Sequence, residues 1–354
     1  MSSSLHTHSY FSILDGYSSP EENLKRASEL GLKSIAITEH GEVTSWLYYA
    51  KAAEKYPDIK ILYGVELYEC EDRDIQDKDN KYWHLIAIAK NDNGRVALNR
   101  IVSLGQLHGF YYKPRVSIYD IAPYADDLII LSACLASKLS RTEDYNKCLE
   151  YVHEYKKLFP NYFLEIQAHN NETQAEYNKK VMQLAQDTNT KVVVTNDVHA
   201  ATKHDLYYQS YYLRIAHDKE TESEIYEGCY FMSDEEIHEV LDKQIGTDKV
   251  TECLLNTDLV ADMCEIVKQP FGEPELPEIE VPDGFSSTNE YLHHLIEIGW
   301  HKRGMDLWDE DKQQLYRKRI EEELYVIETK DFVSYFLIIY DYINWCRQNN
   351  VIVG

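Results

Sequence analysis

The side chains best suited to chemistry come at once: His6 and His8, in Leu5-His6-Thr7-His8, stand two positions apart. On an extended segment that spacing turns both imidazoles to one face, where they can share a metal ion. Such a pair is weak evidence alone, because a single His or Asp after a strand is more often a cap or a surface residue. Here the company is unusual. Ser34–Thr38 runs into Glu39-His40, Ile61–Val65 into Glu66, Leu128–Ser132 into Ala133-Cys134, and Val192–Thr195 into Asn196-Asp197-Val198-His199. Imidazole, carboxylate and one thiol together suit zinc, manganese or iron better than calcium.

The elements that must position these residues are legible as alternating patterns. Strands are predicted at 34–38, 59–67, 83–89, 127–132, 162–167 and 191–195. Helices are predicted between them at 21–30, 45–55, 94–107, 144–158 and 174–188. Ser18-Ser19-Pro20-Glu21 reads as a helix cap with proline at the first helical position. The alternation predicts an α/β fold with a mainly parallel sheet or a barrel. In β/α barrels the active site is built at the carboxyl ends of the strands. Ligand-type residues gathered at those ends therefore predict one convergent, polynuclear metal site.

Past about residue 205 the pattern becomes helical, with helices predicted at 207–215, 234–242 and 251–267. The stretch 270–282 reads as a linker rich in proline and acid. Two amphipathic helices, 288–303 and 310–329, and an apolar, aromatic run at 333–346 follow. The final Val351-Ile352-Val353-Gly354 reads as the start of a strand. The 354 residues suffice for one large domain and part of another, expected at 1–270 and 271–354.

The bulk composition sets limits. Sixty-one acidic residues against 36 basic give a formal net charge of −25. That balance gives no electrostatic attraction for nucleic acid, so any polyanionic substrate must be held by metal ions and a few arginines. The 7 cysteines are scattered without C-x-x-C spacing and read as reduced thiols. No apolar run is long enough to span a bilayer, and a cytoplasmic setting is expected.

Taken in order, the motifs resemble the PHP (polymerase and histidinol phosphatase) domain as found at the start of C-family bacterial replicative polymerases. The matching segments are Leu5–Gly16, Ile37–Gly41, Gly64–Tyr68, His84–Asn91, Lys113–Arg115, Leu131–Ala136, Tyr162–Gln167 and Thr195–His199. Leu276-Pro277 and Pro282-Asp283-Gly284 resemble the family's linker, and Arg319–Ile327 with Phe332 and Ser334–Trp345 the start of its palm. The resemblance implies a distorted (β/α)7 PHP-type barrel followed by an incomplete, mostly helical start of a polymerase palm. It also implies that the palm's nucleotide loop and aspartates lie beyond Gly354, so this chain is not expected to polymerise DNA alone.

By the same resemblance nine residues match metal ligands: His6, His8, Asp15, His40, Glu66, His84, Cys134, Asp197 and His199. They would divide among three ions: His6, His8, Glu66 and Asp197 on one; Glu66, His84 and Cys134 on a second; Asp15, His40 and His199 on a third. His8, Glu66 and Asp197 would be catalytic. Glu39 stands where the family usually has aspartate and is not taken as a ligand. Arg115 could contact a phosphate, while Glu165 and His169 could line the cleft or simply pack. The implied activity is metal-dependent 3′–5′ exonuclease action at a DNA 3′ end, serving proofreading in DNA replication. The implied partners are DNA, the rest of the polymerase and other replisome subunits, with no membrane. Two other readings are a non-catalytic module that supports the polymerase and a histidinol-phosphatase-like phosphomonoesterase.

Overall fold

The computed structural model describes residues 3–217, 226–267, 277 and 279–354. Most of the predicted linker at 270–282 lies outside those residues. Two compact units are present, Met1–Gln269 and Pro270–Gly354.

In the first unit nine strands are ordered along the chain as β1 (Ser3–Ser4), β2 (Ser34–Ile37), β3 (Lys60–Cys70), β4 (Tyr82–Ala89), β5 (Phe110–Tyr111), β6 (Lys113–Val116), β7 (Leu128–Leu131), β8 (Tyr162–Gln167) and β9 (Val192–Thr195). The helices are α1 (Pro20–Glu29), α2 (Trp46–Ala52), α3 (Asp92–Leu107), α4 (Ile118–Ile121), α5 (Tyr145–Leu158), α6 (Glu172–Thr188), α7 (Asp205–His217), α8 (Asp234–Ile245) and α9 (Thr247–Met263). Helix α1 starts as its sequence suggests: Ser19 and Glu22 form a capping box around Pro20.

Seven strands follow the order β1-β2-β3-β4-β7-β8-β9. A parallel bridge between Thr7 and Val198 joins the two ends. His8 N donates to Val198 O at 2.7 Å and Val198 N to His6 O at 3.0 Å, so the sheet closes just beyond β1 and β9. The fold is an α/β barrel with helices outside.

The sheet is mainly parallel, as expected, with one reversal the sequence did not reveal: β4 runs antiparallel to both β3 and β7. Its amino end therefore lies level with the carboxyl ends of its neighbours, and His84, at the start of β4, joins residues that end theirs.

Strand alternation sorts side chains between two apolar cores. Leu62, Ile86, Ile88, Ile129, Leu131, Phe163 and Val193 turn into the barrel and meet Val260, Ala261 and Cys264 near the end of α9. Ile35, Ile37, Leu85, Ala87, Ile130, Leu164 and Val194 turn outward beneath the helices. Lys60 Nζ donates to Ala261 O at 2.8 Å and Glu265 N to Lys90 O at 2.7 Å, fixing α9 across the end where β3 begins and β4 finishes. The barrel is thus plugged with hydrocarbon at that end, and its polar residues are left at the other.

The second unit holds α10 (Thr288–Lys302), α11 (Glu310–Thr329) and α12 (Val333–Gln348). Leu292, Leu324, Val333 and Leu337 form its small core. One expectation fails here. Residues 351–354 form no strand. In the aromatic run, Tyr335, Phe336, Tyr340, Tyr342 and Trp345 are exposed. Val333 and Leu337, one helical turn apart, supply the buried stripe of α12.

Candidate metal centre

The nine candidate ligands converge at the polar mouth of the barrel. Glu66 is the hub and is buried. Its Oε1 lies 3.3 Å from His6 Nε2 and 2.8 Å from His84 Nδ1; its Oε2 lies 3.7 Å from His8 Nε2 and 2.5 Å from His40 Nδ1. Cys134 Sγ stands 3.7 Å from Glu66 Oε1 and 3.6 Å from His84 Nδ1. Asp197 Oδ1 is 3.1 Å from His6 Nε2 and 3.4 Å from His8 Nε2. Asp15 Oδ2 reaches His40 Nε2 at 2.9 Å and His199 Nε2 at 3.5 Å.

Local backbone conformation supports this convergence. Leu14, Ala133 and Asp197 have positive φ of 62°, 60° and 51°, a region that side-chain-bearing residues seldom occupy. The first two immediately precede Asp15 and Cys134, and the third is itself a candidate. Strain of this kind collects where a side chain must be aimed rather than packed. Gly41 (φ +62°) continues the chain past His40, and a Cβ there would lie 2.9 Å from the Tyr68 ring.

Hydrogen bonds then fix how three of the histidines present themselves. His6 Nδ1 meets Glu165 Oε1 at 2.8 Å. Ser12 Oγ gives its one proton to Glu39 Oε2 at 2.6 Å, so at 2.8 Å it accepts from His8 Nδ1. His199 Nδ1 donates to the Asp197 carbonyl at 2.7 Å. In each ring Nδ1 carries a proton, so in the neutral form the Nε2 lone pair is the one offered to an ion, the arrangement that outer partners impose on metal-binding imidazoles. Glu39, although no candidate ligand, thus acts through Ser12 on His8. Glu165 also accepts from Thr195 Oγ1 at 2.6 Å and holds His6 from behind.

The donor atoms fit metal ions on an observation internal to the fold. His6 Nε2, His8 Nε2, Asp15 Oδ1, His40 Nδ1, Glu66 Oε2 and Asp197 Oδ1 are all buried and form no hydrogen bond of good geometry, although several crowd one another at 2.5 to 3.4 Å. Buried polar atoms are normally satisfied, and six unsatisfied ones around a single space call for something that accepts lone pairs. Three-residue donor sets recur among them, including His6, His8 and Glu66, then His8, His40 and His199, then His40, Glu66 and His84.

The electrostatics of the metal-free site divide its groups in two. Burial alone would raise the Glu66 carboxyl, but the imidazoles of His84, His40 and His6 hold it well below its usual range. Asp15 is likewise held low against burial by His199 and His40. His8 is pushed down to about 3 by burial and by neighbouring His40 and His199, keeping it neutral. Burial lowers His40 too, yet Glu66 and Asp15 outweigh it and push it up to about 9. Burial and the nearby Glu66 push the Cys134 thiol well up. Glu66, Asp15 and His8 are thus in the states that bind divalent ions, whereas His40, Cys134 and, raised by their carboxylate neighbours against burial, His6 and His199 hold protons that a bound ion would displace.

Arg115 is a correction. It is 1% exposed, and its guanidinium donates to the carbonyls of Asn80 at 2.9 Å and Ile75 at 2.8 Å while lying over Tyr111. The fork that could have met a phosphate clamps the β3–β4 connection instead. Sequence reasoning also passed over Ser12 and Cys229. Ser12 had a signal in its four-residue spacing from His8, whereas Cys229 sits some thirty residues beyond the last motif and had none.

Comparison with known proteins completes the picture. Residues 4–169 match the family model described as the PHP domain, and residues 290–354 the one described as the bacterial DNA polymerase III alpha NTPase domain. Across 99% of this chain, the DNA polymerase III subunit alpha of Treponema pallidum is 34% identical, that of Aquifex aeolicus 32% and that of Borreliella burgdorferi 30%. The matches take up 30%, 32% and 31% of those proteins, so the chain spans about a third of the length of these relatives. Among the described residues no helix is long and apolar enough to cross a membrane. With a PHP domain at its start and an alpha-subunit NTPase-domain match after it, the chain belongs to the DNA polymerase III alpha subunit family.

Proposed function

We propose that the barrel mouth holds three divalent ions and that this chain hydrolyses DNA phosphodiesters from the 3′ end, the proofreading activity of a replicative polymerase. The observation that carries the reading is the set of six buried donor atoms that form no hydrogen bond of good geometry. Such ions would neutralise a phosphate, lower the pKa of a bound water to about 7 and steady the departing oxygen.

The chain's own residues divide that work. His6, His8, Glu66 and Asp197 hold one position, Glu66, His84 and Cys134 a second, and Asp15, His40 and His199 a third. Glu66 can serve two positions because Oε1 faces His6, His84 and Cys134 while Oε2 faces His8 and His40. His8, Glu66 and Asp197, which meet at the centre, are the catalytic residues of this reading. Residues 1–270 would form the phosphoesterase domain and 271–354 the leading part of the palm. The DNA 3′ end, the rest of the polymerase and other replisome subunits would be the partners.

A second reading, a metal-binding module that supports the polymerase without turnover, draws on the net charge of −25 and on Arg115 being locked inside. A phosphomonoesterase reading has no use for the segment that matches the alpha-subunit NTPase domain. Manganese-loaded chain offered a single-stranded oligonucleotide and, separately, p-nitrophenyl phosphate separates the three. Release of 3′ nucleotides with little p-nitrophenol supports the proposal, p-nitrophenol release alone the phosphatase, and neither, with ions bound, the supporting module.

A further inference from the structure

The seven cysteines do not share one environment. Cys148 gives its thiol to the carbonyls of Leu139 and Thr142, and Cys264 to that of Val260, as small buried residues commonly do. Two others face ionisable side chains. One is Cys134, already placed at Glu66 and His84. The other is Cys229, 3% exposed, whose Sγ lies 3.7 Å from His169 Nε2 and forms with Asp197 and His199 a set whose donor atoms lie within 4.8 Å of one another.

The surroundings of Cys229 are built rather than incidental. His199 N and Ala200 N both donate to Cys229 O, at 2.9 and 3.2 Å, and Ala200 pairs with Tyr230 in a parallel bridge. Cys229 is thereby held in register beside His199, two residues after Asp197. Its predecessor Gly228 lies so close to His169 that a Cβ would stand 2.3 Å from the ring. Glycine is what lets the segment come this near.

Hydrogen-bond polarity gives the direction. His169 Nε2 lies 2.9 Å from the Asn196 carbonyl, which can only accept, so that nitrogen carries a proton. That single proton goes to the carbonyl, so at 3.7 Å the Cys229 sulfur packs against the Nε2 edge of the ring and makes no full hydrogen bond to it. On its inner side the sulfur faces Asp197, whose Oδ1 is buried and forms no hydrogen bond of good geometry.

We propose that Cys229 is a tenth ligand of the cluster, a thiolate on the Asp197–His199 side that gives the centre a second sulfur besides Cys134. On binding, the thiol loses its proton to solvent buffer and the sulfur–metal bond forms, while His169, held by the Asn196 carbonyl, packs behind the sulfur. Two thiolates at opposite edges would bias the centre toward thiophilic ions such as zinc over manganese.

This inference rests on the metal centre proposed above, and the test keeps the two apart. The full chain is loaded with cobalt(II) alone, and its thiolate-to-cobalt charge-transfer absorbance and cobalt content are read for the wild type, Cys134→Ala, Cys229→Ser and the double variant. Cys229→Ser keeps a small polar group at the position and guards against loss of fold, which circular dichroism checks. We expect the band to fall about twofold in each single variant and to vanish in the double variant. A Cys229→Ser band equal to wild type, with Cys134→Ala abolishing it, overturns the proposal but leaves the cluster standing. Failure of the wild type to bind cobalt overturns both.

Discussion

At the scale of single residues, the proposed centre depends on groups that need never touch an ion. Glu165 fixes the His6 ring through Nδ1, so Glu165→Gln, which gives up the carboxylate's charge, should weaken metal binding by about 10- to 100-fold, the usual cost of an outer partner. Metal content after dialysis against graded chelator measures this. Protonation gives a second prediction, for the metal-free chain. His40 is raised to about 9, so its contribution to stability is fully present below the unfolded value near 6.5 and is lost as pH rises through 9. His8 is lowered to about 3, so its contribution is present above 6.5 and fades as pH falls. Thermal unfolding in chelator should therefore show stability declining from pH 6.5 to 9, whereas the stabilisation added by metal should grow with pH as protons cease to compete. A metal-free chain that grew steadily more stable up to pH 9 would contradict the charge pattern described. Residue types explain why so much of the centre could be read from sequence: a His, Glu or Asp placed just after an apolar run is visible without coordinates. Burial is not visible in that way. Arg115 looked available in Lys113-Pro114-Arg115, yet the fold encloses it.

At the scale of elements, strands β2, β3, β4, β7, β8 and β9 and the longer helices of the first unit follow their hydrophobic periods. The other three strands do not: β1 and β5 have two residues each, too few to show a period of 2, and β6 is Lys-Pro-Arg-Val, with one apolar side chain besides its proline. Strand direction was the costlier omission. A sequence pattern has no sign along the chain, so the reversal of β4, which brings His84 to the mouth, could not be deduced. Cys229 escaped for a related reason, since it reaches the cluster through a single bridge at Ala200 and Tyr230 rather than through a strand. The β3–β4 connection offers a prediction at this scale. Arg115→Leu strands the Asn80 carbonyl and leaves the Ile75 carbonyl with Asn80 Nδ2 alone, and should cost about 1–3 kcal/mol of stability. Denaturant unfolding would show that loss while metal content stays at the wild-type level. If the variant instead kept its stability and lost affinity for DNA, the phosphate role would return.

At the scale of the whole molecule, the dominant fact is a net charge of −25 on a chain whose relatives are DNA polymerase subunits. A protein that neutralises 6–10 phosphates with basic side chains loses about 10³–10⁵ in affinity between roughly 50 and 200 mM salt. Here ions rather than lysines would meet the phosphates, and repulsion from the rest of the surface would be screened by salt. Affinity for a single-stranded oligonucleotide, read by fluorescence anisotropy at fixed manganese, should change by less than about tenfold over that range. A steep fall with salt would show a basic binding surface that the fold does not display. The exposed aromatic side chains of α12 belong to the same scale, because their environment depends on more than the short apolar stripe of that helix.

The most direct test is manganese-supported degradation of a 5′-labelled single-stranded oligonucleotide by the wild-type chain, His8→Ala and Asp197→Ala. Both substitutions remove atoms aimed at the middle of the cluster. The account predicts stepwise loss of 3′ nucleotides by the wild type and a fall of at least about a hundredfold in both variants, which should still fold. Degradation that persists in either variant, or its absence in a wild type shown to hold its ions, would contradict the claim that this cluster is a nuclease centre.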